Sequence, residues 1–338
     1  MIEKKQHRIV TFGEVLMRVS PPQFRRFSQA QNANIFFGGT EANVAIAMSH
    51  FDCKSTHVTA LPNDFTGEAV AGFFKQNDVD TQFMSKNSEP LGLYFLEEGA
   101  THRSSKIVYN RNNSAFANCN PKDYDWKTIL KDADWFHWTG ITPATSKNAY
   151  IALKEALSVA QELNITVSAD PVYRSNLWKY DDANPAKMLK ELVSLSHVFI
   201  GGCDEINMLY ETNYSFQDFK NAAKFLQDKN ESIKAVINKT RKSKNGSWHT
   251  ISSQCWADNI YYESPEIEIT HIIDRIGTGD AFAAGLIYGM LHYELPKALA
   301  FANTTCALKH SMIGDAFLLS KDDVEAAIKS GLQGRIIR

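Results

Sequence analysis

Residues 274–290, DRIGTGDAFAAGLIYGM, hold four of the chain's 18 glycines and decide how the rest is read. Gly277 and Gly279 flank a turn that opens a helix. Without side chains, their amides are free to converge on an anion, and the helix dipole adds partial positive charge there. Asp280 falls in the first turn of the same helix. A carboxylate beside a phosphate-binding turn repels phosphate, so its presence asks for a chemical reason. One reason is general-base work, in which it accepts the proton of a hydroxyl that attacks a γ-phosphate. An aspartate that merely steadies a helix start behind a tight turn fits these residues equally well. On either reading, Ala281, Ala283, Ala284 and Gly285 predict close helix packing.

Outward from this segment, short β-rich runs alternate with helical patterns, the mark of an α/β fold with a mainly parallel sheet. Strands are predicted at 8–12, 56–61, 135–139, 165–169, 198–200 and 235–238. Helices are predicted from about Thr40 (with Thr40 as cap), at 66–77 with Thr66 as N-cap, at 146–164, around 216–229, from near Gly279, after Pro296 and at 321–330. Two stretches break the alternation. Residues 13–37 carry strand-like pieces around Pro21-Pro22, and residues 91–111 read as two strands joined by a polar turn with Gly99. They predict a small sheet lying as a lid over the C-terminal ends of the parallel strands. No repeat or flexible linker interrupts residues 1–338, so a single domain is expected.

A second glycine signal lies early, in FFGGTEANVAIAM (residues 36–48). Gly38 and Gly39 lead into a helix with Asn43 in its first turn, facing back toward them. The pair permits close approach of a ligand to backbone, and the Asn43 amide offers donor and acceptor to a hydroxylated substrate. A plain loop before a helix has the same composition.

Over 338 residues, 36 Lys and Arg face 38 Asp and Glu, a net charge of −2. A near-neutral chain has no global grip on nucleic acid or anionic membrane, which points to a small-molecule partner. The five cysteines are scattered with no C-x-x-C pair, as suits a reducing compartment. The N-terminus has no apolar h-region and no stretch approaches ~18 apolar residues, so a cytoplasmic protein is expected. The histidines show no H-x-x-x-H spacing for zinc. G-x-S-x-G is absent, and FGEVLM stands where a dinucleotide-binding G-x-G-x-x-G would follow the first strand.

Taken together, the pair Gly38-Gly39 with Asn43 and the turn Gly277–Asp280 resemble the two signatures of the ribokinase/PfkB family of carbohydrate kinases. Segments such as FGEVLMRVSPP (12–22), RFSQAQ (26–31), DPVYRSNLW (170–178), KHSMIGD (309–315) and GRIIR (334–338) are most similar to its 2-keto-3-deoxygluconate kinases. The resemblance implies a ribokinase-like three-layer α/β/α domain with a β-sheet lid, ATP and Mg²⁺ as cofactors, and phosphorylation of the C6 hydroxyl. Asp280 would be the base, with Gly277, Thr278 and Gly279 forming the anion pocket. The acid sugar would be held by Gly38, Gly39, Asn43, Tyr94, Tyr109, Arg111 and Arg174, the two guanidiniums suiting a carboxylate. ATP would meet Glu205, Thr240, Arg241 and Asn303, with Glu205 reaching the metal through water. The family's N-x-x-E motif is altered, because Gly202 stands at its Asn; Asp204 or a water could substitute. Exposed lid edges suggest a homo-oligomer formed through the lid. A fructokinase, another sugar kinase of the family, or a catalytically silent sugar- or nucleotide-binding regulator are the alternatives.

Overall fold

A computed structural model of the chain describes residues 6–334, so most of the GRIIR segment lies outside the described residues. The large sheet runs in the order Ile260–Glu263, Trp248–Ala257, Ala235–Asn245, Val198–Ile200, Thr166–Asp170, Trp135–Thr139, Arg8–Phe12, Lys54–Pro62, Val79–Asp80. From Ala235–Asn245 onward every pairing is parallel. The central strands are buried on both faces, which explains why RIVTF and WFHWT read as continuous apolar runs. Polar atoms inside them are paired: Thr11 with His57 at 2.8 Å, and Ser168 with both His137 and Trp135 at 2.8 Å. Burial pushes both imidazoles down to about 3, so they stay neutral packing groups.

Two helical layers cover the sheet. One presents Leu153, Leu157, Leu192 and Leu226 to it. The other presents Val44, Met48, Phe282, Leu286 and Phe301. Within the second layer, helices Thr278–His292 and Leu295–Lys309 run in close contact: a Cβ on Gly285 would lie 2.7 Å from Thr305 Oγ1 and 2.9 Å from Ala302 Cα. The small-residue run predicted this packing.

Four further strands form the separate sheet, in the order Asn34–Gly38, Leu16–Ser20, Gly92–Glu97, Lys106–Asn110. Its register gives it two distinct faces. Phe36, Arg18, Tyr94 and Tyr109 stand in one cross-strand row, and Ile35, Val19, Phe95 and Val108 in the next, on the opposite face. The first row turns toward the ends of the parallel strands, the second toward solvent.

Several boundaries differ from expectation. Helix Phe65–Gln76 is capped by Asp64, whose carboxylate accepts the amides of Thr66 and Gly67, so Thr66 lies inside. Gly39 is the N-cap of helix Thr40–His50, and Thr40 instead donates its hydroxyl to Glu41 at 2.6 Å. The strand expected to end at Asn238 continues to Asn245 and pairs back with Trp248–Ala257. Asn245-Gly246 is the hairpin signal that marks this turn.

Candidate active site

Gly277 caps helix Thr278–His292 in the left-handed region, at φ 77°. A Cβ there would lie 1.9 Å from the carbonyl oxygen of Asp315, so both conformation and space demand glycine. The turn is braced from behind: the Ile276 amide donates to Asp274 at 2.9 Å and Thr278 Oγ1 to the Arg275 carbonyl at 3.1 Å. Asp280 then projects from the first helical turn into a cavity of about 390 Å³. Asn43 Nδ2 donates to its Oδ2 at 2.6 Å, so the two glycine signals of the sequence meet at one carboxylate. Enclosure by protein raises the Asp280 pKa to about 7; the Asn43 bond works against this, and Asp170, Glu41 and Asp315 add to it. A carboxyl group titrating near neutrality is what proton abstraction at physiological pH requires.

The walls of this cavity bring together residues from distant segments. Gly38 and Gly39 form one side, where a Cβ would collide with Asp315 and with the Glu14 carbonyl respectively. The inward row of the lid supplies Tyr94 and Tyr109, their rings 5.7 Å apart. Arg111 and Arg174 also line the cavity, but in different states. Arg111 is buried and ion-paired with Glu14, with a second bond to Thr145 Oγ1 at 3.2 Å. Arg174 is exposed and donates to the neighbouring Tyr173 carbonyl at 3.4 Å. Tyr94 is likewise engaged, donating to Asp315 at 2.5 Å.

Arg18, which local pattern did not single out, anchors the lid. Its fully buried guanidinium meets Asp274 at 2.6 Å, Asp315 at 3.1 Å and Glu98, and lies over the Phe36 ring. Burial opposes its charge, yet Asp274 and Asp315 outweigh burial and raise its pKa. The lid is therefore fixed to the segments on either side of the Gly277 turn. Glu41 is held just as fully, accepting from Thr139 N, Thr139 Oγ1 and Thr142 Oγ1.

A second cavity of about 430 Å³ adjoins the first, and Lys239 lines both. Glu205, Thr240 and Arg241 line it as expected. Glu205 accepts the Gly202 amide at 2.8 Å and closes the helix start. Gly202 faces a side-chain amide from the neighbouring strand. A Cβ added there would lie 2.7 Å from Asn238 Oδ1, so an asparagine amide from the neighbouring strand stands where Gly202 offers none. Asp170, at the end of its strand, lines the first cavity; burial raises its pKa to about 7, Glu205 adds to the rise, and Lys239 opposes it. Asn303 lies elsewhere: it is buried, lines neither cavity, and donates to Ser253 and Ser264 at 2.9 and 2.6 Å.

A profile of the pfkB family of carbohydrate kinases matches residues 6–321. The chain belongs to this family. As a pfkB carbohydrate kinase, it is similar to a 2-dehydro-3-deoxygluconokinase of Thermotoga maritima whose crystal structure is known. The two are 34% identical, with a TM-score of 0.90 over 96% of this chain and 100% of that one. A 2-dehydro-3-deoxygalactonokinase of Haloferax volcanii is 29% identical over 327 residues, 96% of this chain and 98% of that protein. A 5-dehydro-2-deoxygluconokinase of Clostridium perfringens is 27% identical over 310 residues, 90% and 88% of the two chains. The ribokinase-like architecture expected from the sequence is thus the one found. What local pattern left out around these cavities are the buried charges Glu14, Arg18, Glu41 and Asp315 and the half-buried Asp170 and Lys239. Each is recognisable only through a partner far away in the chain.

Proposed function

We propose that this kinase transfers the γ-phosphoryl group of ATP to the C6 hydroxyl of 2-keto-3-deoxygluconate, and that residues 1–338 form one catalytic domain with lid segments at about 13–37 and 91–111. The observation that carries the reading is Asp280: a carboxylate titrating near 7, at the foot of an amide-lined turn, in the wall of the first cavity. The sugar acid occupies the cavity between Gly38-Gly39 and the lid, and the nucleotide runs from the Gly277–Gly279 turn along Lys239, Thr240 and Arg241. Asp280 takes the hydroxyl proton as the oxygen–phosphorus bond forms and the bond from γ-phosphorus to the bridging oxygen breaks, releasing ADP. The turn amides face the charge that develops on the phosphoryl oxygens.

The arrangement refines the expected carboxylate clamp. Arg111 is ion-paired with Glu14, so the substrate's charge falls first to the exposed Arg174, which shares the cavity wall with Asp170 and feels its charge. Tyr109, 54% exposed, offers its hydroxyl to the sugar. Among the described residues no group of three or more His, Cys, Asp or Glu is arranged to hold a metal. Asp170 lines the first cavity and Glu205 the second, and the Glu205 charge adds to the rise in the Asp170 pKa. Mg²⁺, which commonly keeps several waters and substrate phosphates as ligands, fits such a sparse protein set and would neutralise phosphate charge there.

All five cysteines are free and buried, as suits work in a reducing cytoplasm; among the described residues no helix is long and apolar enough to cross a membrane. The outward lid row, with Ile35 and Val108 at 59% and 65% exposure, is the surface through which subunits would pair.

The Haloferax relative makes the C4 epimer, 2-keto-3-deoxygalactonate, the second reading. ATP consumption measured against both epimers, 5-keto-2-deoxygluconate, fructose and ribose decides among substrates. Preference for a neutral sugar overturns the acid-sugar reading. Asp280→Asn should abolish turnover while sugar binding persists; near-parental kcat in that variant overturns the base assignment. Arg174→Ala should raise KM for the acid sugar ~10–100-fold and leave use of a neutral sugar unchanged.

A further inference from the structure

Lys309 is a charged side chain that the reaction scheme above leaves unused. It ends helix Leu295–Lys309 and is completely buried. Its Nζ donates to the carbonyls of Gly314 at 2.7 Å and Met312 at 3.1 Å. Burial of an ammonium is costly without partners of opposite charge. Here the carboxylates of Asp274, Asp315 and Asp280 face it, with the Arg18 guanidinium as the opposing cation; burial itself lowers its pKa.

The segment those carbonyls belong to is the back wall of the anion-binding turn. The Asp315 carbonyl oxygen occupies the space a Gly277 side chain would fill, and Lys309 Cε would lie 3.4 Å from the same point. The Gly314 amide donates to Asp274 Oδ2 at 3.1 Å, while Asp274 Oδ1 accepts the Ile276 amide at 2.9 Å. A short path of hydrogen bonds therefore runs from the ammonium through residue 314 and Asp274 to the peptide immediately before Gly277. The ammonium satisfies two turn carbonyls, and it brings a positive charge behind a pocket that must accept negative charge.

We propose that Lys309 is a positioning residue for phosphoryl transfer: its ammonium is a covalently tethered internal cation that holds the 312–315 turn against Gly277 and sets a positive charge behind the pocket that contains Asp280. The proposal rests on the reading of Asp280 as base and of Gly277–Gly279 as phosphoryl pocket. A parent enzyme that phosphorylates a sugar, with Asp280→Asn inactive, establishes that reading independently, after which variants of Lys309 test this proposal alone.

Lys309→Met keeps length and volume but has no charge or donor; Lys309→Gln keeps donors without charge. Both are assayed with the sugar the parent uses best, after a thermal melt and a sugar-binding titration confirm a folded protein. Lys309→Met should lose kcat by ~10²–10³-fold, because a displaced 312–315 turn misaligns an amide donor to the developing anion, with sugar KM changed less than about threefold. In both variants the acid limb of kcat/KM should move to higher pH, because loss of a nearby cation disfavours ionised Asp280. That limb also feels Asn43, Asp170, Glu41 and Asp315, all unchanged in these variants. A purely packing role would leave the limb in place. Folded Lys309→Met with kcat within threefold of the parent, or an unmoved limb in both variants, overturns the proposal. Lys309→Ala gives a separate arm that also covers poor folding of the longer replacements. Added propylammonium, which replaces the deleted atoms and charge, should restore folding or turnover saturably, whereas n-propanol should not. Equal rescue by both, or by neither, overturns the proposal.

Discussion

The Asp280–Asn43 contact sets a pH dependence whose size follows from the structure. An ordinary aspartate, with a pKa of 3.8, is almost fully ionised down to pH 5; Asp280 titrates at about 7. Its ionised fraction is then ~0.9 at pH 8, ~0.5 at pH 7, ~0.09 at pH 6 and ~0.01 at pH 5. If the ionised form is the base, kcat/KM for the sugar falls ~10-fold from pH 8 to 6 and ~10-fold more by pH 5. The γ-phosphate of ATP also takes up a proton in this range, so the profile alone does not identify the group. Asn43→Ala does. The amide it removes donates to the carboxylate at 2.6 Å and favours the ionised form. A hydrogen bond to a charged group contributes ~1.5–3 kcal/mol, which corresponds to ~1–2 pH units. The limb should therefore move upward by that amount in Asn43→Ala, while a limb due to nucleotide stays fixed. Initial rates of ADP formation between pH 5 and 9, at constant ionic strength and saturating Mg·ATP, supply the data. A parent profile flat to pH 5, or an identical limb in both proteins, refutes the assignment.

Other perturbations test the frame around that carboxylate. Arg18→Met removes the guanidinium that pairs with buried Asp274 and Asp315 and leaves Lys309 as the cation facing them, at a cost of ~3–5 kcal/mol. At ~2.1 cal/mol/K of unfolding entropy per residue over 338 residues, Tm should drop by ~4–7 °C; an unchanged melt would contradict the ion network. Gly277→Ala, forced to φ 77° and against the Asp315 carbonyl, should lose kcat ~10²-fold or more. Gly279→Ala, whose nearest contact is Lys239 Nζ at 3.6 Å, should melt like the parent, and the comparison by calorimetry separates backbone strain from mere added bulk. Gly202→Asn should weaken nucleotide binding by crowding Asn238, and the reciprocal change Asn238→Gly should restore it in the double variant; titration with ATP reads both.

The parts of the site that local sequence pattern exposes are those built by backbone. Gly277–Asp280 and Gly38–Asn43 each carry their signal within a few residues, because a tight turn into a helix constrains its own composition. Arg111 and Tyr94 were visible as candidates but not in their bonded states: the partners that occupy them, Glu14 and Asp315, lie on other elements. Lys309 and Arg18 carry no local signal of their bonded state, since nothing within a turn of either shows that acids from residues 274 and 315 enclose them. The strands Trp248–Ala257, Ile260–Glu263 and Ile267–Ile269 escaped notice for a different reason. Trp248–Ala257 packs polar Ser252 and Ser253 inside, which blurs the alternation a half-buried strand normally displays.

The way the lid is rooted limits how substrate enters. Strand Leu16–Ser20 is pinned by Arg18 and strand Gly92–Glu97 by Tyr94, both to Asp315, whereas every residue of Lys106–Asn110 is exposed. The roof over the sugar thus has a fixed rafter and a free eave. Gating belongs to the eave: a spectroscopic label at Ile107 would sense arrival of the sugar, and one at Met17 would stay silent.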